Sequence, residues 1–123
     1  MTLKDNFFRV IEVTKTDTTL DYLIAFNPEH FIYQAHFPGN PTTPGVCIIQ
    51  TVKELAEMAL QSKLFLKKIH NVKFLNVINP IENKVVTFSI SIVSEEGNTH
   101  KVAATVSHNS THFVKLSMSF ISE

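Results

Sequence analysis

Four residues of this 123-residue chain have types and spacing suited to proton chemistry beside a carbonyl: His36, Gly45, Gln50 and Glu54. The imidazole of His36 exchanges a proton near neutral pH. It heads a stretch, residues 36–45, that holds three of the five prolines and two of the three glycines. Each proline fixes its own φ and pushes the preceding residue out of the helical region, so the loop is stiff. Gly39 permits a turn inside it. Thr43 is expected to cap a helix and Pro44 to fill its first position. The amides of Gly45 and Val46 then lack intrahelical partners and favour partial negative charge. A proton carrier, a rigid corner and an oxyanion-type site thus fall together, with Phe37, Gly39, Gly45 and Val46 as candidate substrate-binding residues.

The flanking elements must position this corner. Residues 7–14 read as a first strand, and Leu20, Tyr22, Ile24 and Phe26 alternate along a second. Residues 30–35 form a short aromatic approach, with Phe31 and Tyr33. Periodicity predicts one long helix from Gly45 to about Leu64. A third strand is expected over 69–78, a fourth over 85–93 and a fifth over 99–108, with Val114, Leu116, Met118 and Phe120 marking the last. That order predicts an α+β domain over 1–123: an antiparallel sheet wrapped around one central helix. On the helix, Ile48, Val52, Leu55, Ala56, Ala59 and Leu60 share one side; Cys47, Gln50, Glu54, Glu57 and Gln61 share the other. A helix swallowed by its own sheet should be apolar nearly all round. The polar stripe therefore either faces solvent, in its C-terminal half, or serves the loop, at Gln50.

Composition excludes several roles. Formal net charge is zero and no basic run stands out, so nucleic acid is not an expected partner. No apolar run reaches the roughly 18 residues that span a bilayer, and residues 1–6 lack a signal-peptide core. One cysteine rules out an internal disulfide. A cytoplasmic domain is expected. His30, His70, His100, His108 and His112 lack metal-ligand spacing and read as structural, as does Cys47, a small core side chain just past a helix start. No metal and no cofactor are expected.

The stretch from Asn27 to Gln50 resembles the bacterial β-hydroxyacyl-acyl-carrier-protein dehydratases, above all in His36-Phe37-Pro38-Gly39-x-Pro-x-x-Pro-Gly45 with Phe31 and Gln34 leading in. The match covers about a fifth of the chain. It implies a hotdog fold, a homodimer as the minimum unit, a trimer of dimers as the larger assembly, and a site across the dimer interface. It implies His36 as the base and the Gly45 amide as the group that polarises a thioester carbonyl. The substrate would be a β-hydroxyacyl thioester of acyl-carrier protein or coenzyme A, losing water to give the enoyl thioester. The family carries a carboxylate fourteen residues after the histidine; here that position is Gln50. Many members have Glu there and Gln four residues later, whereas this chain has Gln50 and then Glu54. Glu54, one turn away on the same face, is the candidate replacement acid. The alternatives are a non-catalytic acyl-thioester binder, a partner subunit of a mixed dehydratase dimer, or a hotdog thioesterase. For the acyl chain, Ala56 and Ala59 would leave room, whereas Phe74 and Phe88 would close it.

Overall fold

A computed structural model describes residues 2–35 and 39–123. Its elements are β1 (Phe8–Lys15), β2 (Leu20–Phe26), α1 (Phe31–Ala35), α2 (Gly45–Leu60), β3 (Leu64–Phe74), β4 (Val86–Glu96), β5 (Thr99–His108) and β6 (Thr111–Ser122). The six strands form one antiparallel sheet in the order β1-β2-β4-β5-β6-β3, leaving β1 and β3 at its edges.

Alternation decides which face is covered. Tyr22, Ile24, Phe26, Val86, Phe88, Ile90, Val102, Ala104 and Val106 are buried, as are Val114, Leu116, Met118 and Phe120 on β6. Against this face lies α2, through Ile48, Val52, Leu55 and Ala56. The Tyr22 hydroxyl donates to the Leu55 carbonyl at 3.4 Å, fixing helix to sheet. Burying a side chain such as Leu55 contributes about 1.5–3 kcal/mol. The arrangement is the expected hotdog: a curved sheet around one long helix.

The short aromatic approach is a one-turn helix over Phe31–Ala35, started by the Ile32 N–H donating to His30 Nδ1 at 3.1 Å. Three boundaries differ from the sequence expectation. The long helix ends at Leu60 rather than near 64, because Gln61 turns to φ 52° and donates its N–H to the Glu57 carbonyl. The Glu57 carboxylate then accepts the Leu64 N–H at 2.9 Å and launches β3. That strand therefore starts five residues before the expected 69 and stops four before the expected 78. Its register slips between Leu66 and Lys68 and again between Ile69 and Asn71. Two bulges break the period of two on which the sequence reading depended. No helix among the described residues is long and apolar enough to cross a membrane.

Candidate active site

The corner before α2 is braced from two sides, by Tyr33 and by Ile78. Thr43 does not cap the helix: its hydroxyl pairs with the Tyr33 hydroxyl at 2.8 Å, and its N–H donates to the Ile78 carbonyl at 2.9 Å. Tyr33 is buried in the core and draws Thr43 in with it. Pro44, at φ −64° and ψ 144°, takes the N-cap position instead, and no side chain caps the helix. Gly45 and Val46 are then the first helical residues, whose N–H groups have no acceptor within the helix. Burial holds the Tyr33 phenol well above its usual range; the Thr43 hydrogen bond opposes this and Cys47 adds a smaller upward push. Tyr33 stacks in turn on Phe7, with ring centroids 5.1 Å apart. Gly39 sits at φ +86°, a conformation that favours glycine. His36 and Phe37 lie outside the described residues.

Gly45 opens into an apolar groove of about 360 Å³. Pro44, Gly45 and Ile48 form one wall; Phe74, Val77 and Ile78 form the other. The Phe74 ring covers Gly45 so closely that a Cβ there would lie 2.7 Å from its Cζ. Phe88, by contrast, is fully buried under the sheet and does not line the groove. Nor does Val46, which is 71% exposed. A larger open cleft of about 550 Å³ lies between β1, β2 and residues 80–84. It touches none of the described candidate catalytic or substrate-binding residues, so the smaller groove, walled by the free helix start, is the candidate site.

The polar stripe of α2 is buried at Cys47 and Glu54, half-buried at Gln50 and Glu57, and exposed at its C-terminal end, Gln61. Glu54 is only 6% exposed. Its carboxylate accepts the Leu3 N–H at 3.0 and 2.8 Å, the Lys4 N–H at 2.9 Å, and the Gln50 side-chain amide at 2.9 Å. Sequence reasoning paired Gln50 with Glu54 but missed the N-terminal turn, since nothing local links residues 3 and 4 to position 54. Cys47 is buried, and burial pushes its thiol up, away from the reactive thiolate. Among the described residues, no three His, Cys, Asp or Glu side chains gather as metal ligands would. His100 bridges Glu95 and Ser122, and His70 pairs with Ser119.

Comparison with known proteins settles the family. The profile of the ApeI-like family, described as ApeI dehydratase, matches residues 12–115. The chain belongs to the ApeI-like dehydratase family. It is 31% identical over 121 residues to the 3-hydroxyacyl-[acyl-carrier-protein] dehydratase FabZ of Levilactobacillus brevis, covering 87% of this chain and 79% of that one. It is 32% identical over 80 residues to FabZ of Caldicellulosiruptor saccharolyticus, covering 59% and 56%. Among solved structures, the dehydratase heterocomplex ApeI:P from Xenorhabdus doucetiae matches with a TM-score of 0.72 at 18% identity, covering 91% of this chain and 96% of that one. A hypothetical thioesterase solved with coenzyme A from Streptococcus pneumoniae matches with a TM-score of 0.64 at 9% identity, covering 91% and 84%. At such identities the structural matches speak for the hotdog fold of this ApeI-like chain.

Proposed function

We propose that this protein eliminates water from a β-hydroxyacyl thioester, carried by acyl-carrier protein or coenzyme A, to give the enoyl thioester. The observation that carries this reading is an uncapped helix start, at Gly45, opening into an apolar groove in a chain of the dehydratase family. The thioester carbonyl would sit at the Gly45 amide and the acyl chain along Ile48, Phe74 and Val77. His36 removes the proton from the carbon beside the carbonyl. Negative charge builds on the carbonyl oxygen, where the amide and the helix start stabilise it. The C–O bond to the neighbouring hydroxyl then breaks, and the departing oxygen takes up a proton and leaves as water.

Gln50 cannot supply that proton, because an amide is not an acid at any useful pH. Glu54 stands one turn behind it, and two roles are compatible with its position. As the acid, it would exchange one of its N–H partners for a proton and pass that proton on through a water. As a carboxylate clamp, it would orient the Gln50 amide toward the leaving hydroxyl. Glu54→Gln separates these roles. The acid role predicts a fall in kcat of about 10²–10⁴ with the pH profile altered. The clamp role predicts a smaller fall with an unchanged profile.

The unit would be a homodimer joined through the open edge of β3, where Phe65, Leu66, Ile69 and Phe74 are all more than two-fifths exposed. A second reading has one supporting observation. The solved neighbour from Xenorhabdus is a heterocomplex. A partner subunit bearing a carboxylate where this chain has Gln50 would complete the site of His36 in a mixed dimer. One assay tests both readings: purified protein incubated with a 3-hydroxyacyl thioester, alone and with a related dehydratase subunit added. Enoyl product from the protein alone supports the first. Product only after addition supports the second, and free acid instead points to a thioesterase.

A further inference from the structure

The formal charges of the chain balance, eleven basic against eleven acidic, yet the sheet separates them. Strands β3, β5 and β6 contain Lys67, Lys68, Lys73, Lys101 and Lys115 and no Asp or Glu at all. Linear sequence conceals this, because the three strands come from distant parts of the chain and no basic run marks any of them. Register brings them together. Lys101, Ser119 and Lys68 are opposite one another in one row across the strands. Thr105, Lys115 and Lys73 form a second row, with Ala103, Ser117 and Asn71 between the two. The flanking positions 102, 104, 114, 116 and 118 are buried toward α2, so all three rows lie on the outer face, with Ser119 in the first row itself buried and paired with His70.

The dimensions follow from strand geometry. The two lysine rows are four residues apart on β5 and β6, or about 13 Å, and each row spans about 10 Å across the three strands. Between them the side chains are small. A shallow pit of about 150 Å³, lined by Ser89, Ser91, Thr105 and Lys115, continues the surface onto β4. Carboxylates begin only at the margins. Asp21 on β2 accepts from the Thr19 hydroxyl, and Glu95 is tied to His100 at the hairpin end. Beside the first row, the His70 ring has its pKa pushed down by desolvation, then by Lys101 and Lys68, as expected where cations crowd together.

We propose that this outer face of β5, β6 and β3 docks an acidic helix of a partner protein. A helix is about 10–12 Å across with its side chains, which fits the small-residue row with one lysine row on each flank. Carboxylates on both sides of the helix would then meet Lys101 and Lys68 on one flank, Lys115 and Lys73 on the other. The chemistry of the face favours protein over other anions. Its aromatic side chains are His70, tied to Ser119 in the first row, and Phe65 in the row beyond it, with none between the lysine rows on which bases could stack. It carries no arginine, the residue suited to bidentate phosphate contacts; the one arginine, Arg9, is on β1. Nor does its central row hold a large apolar side chain to insert among lipid chains. The inference does not depend on the dehydratase reading.

The test is fluorescence anisotropy with a labelled helical peptide of Glu and Ala, about twenty residues long, at about 50 mM salt where screening is weak. Wild-type protein should bind it, and affinity should fall at least about tenfold by 300 mM salt. The variant K68E/K73E/K101E/K115E should lose binding, whereas K15E/K53E/K84E, with lysines reversed elsewhere, should keep it. If the fourfold reversal fails to fold by circular dichroism, the fourfold Lys→Gln variant replaces it and should bind at least about tenfold more weakly than wild type. No binding by wild type, or equal binding by both variant sets, overturns the proposal. So does wild-type binding to phosphatidylglycerol vesicles or to a uridine oligonucleotide without binding to the peptide.

Discussion

At the scale of single residues, the site depends on what surrounds Gly45 and Glu54. Any side chain at position 45 must displace the Phe74 ring, an overpacking that costs about 1–3 kcal/mol. Gly45→Ala should therefore lower kcat/KM for a hydroxyacyl thioester, and Gly45→Ala with Phe74→Ala should recover part of the loss; steady-state kinetics of the three proteins check this. Glu54→Gln replaces an accepting oxygen with a donor among three N–H groups. The resulting unsatisfied pair should cost about 1–3 kcal/mol of stability, read from urea denaturation. Gln50→Glu has a different expected outcome. The new carboxyl would lie against the Glu54 carboxylate, and two such groups in contact hold a proton between them. If the acid is what the site lacks, this variant should raise kcat at least about tenfold.

At the scale of elements, the loop before α2 is held by a relay of packed groups. Glu54 fixes the N-terminal turn, Phe7 from that turn stacks on Tyr33 of α1, and Tyr33 holds Thr43 at the helix entrance. Tyr33→Phe removes the last link and should cost about 0.5–1.5 kcal/mol near neutral pH. Its effect reverses in alkali. The folded-state pKa of Tyr33 is raised above its unfolded value, so the native state holds its proton more tightly. Stability is fully present below about pH 10 and falls as pH rises beyond it. The alkaline limb of a stability curve should be shallower in Tyr33→Phe than in wild type. This relay was invisible in the sequence. Periodicity identified α2 and the strand faces, but a hydroxyl pair between residues 33 and 43 carries no local signature.

At the scale of the whole molecule, the edges and outer face of the sheet are what other chains would meet. The β3 edge has unpaired backbone groups flanked by exposed Leu66 and Ile69. Ile69→Asp should convert the proposed dimer to monomer, read by sedimentation velocity, because a stable interface tolerates no unpaired charge in its apolar centre. If the site is shared between subunits, activity should fall with dimer content.

Sequence alone determined the fold class and where the long helix begins. Period-two alternation in β2, β4, β5 and β6 and one helical period in α2 allow few solutions other than a sheet closed on a helix. The proline-braced stretch before Gly45 identified the helix start by its local geometry. Tertiary structure decided what no local rule encodes. It turned Thr43 away from the helix, because burial of Tyr33 required a partner for its hydroxyl. It put Glu54 inside, because two backbone N–H groups from the far end of the chain needed an acceptor. It gathered lysines from three separated strands onto one face, because strand pairing follows the buried side and leaves the outer side to fall wherever register places it.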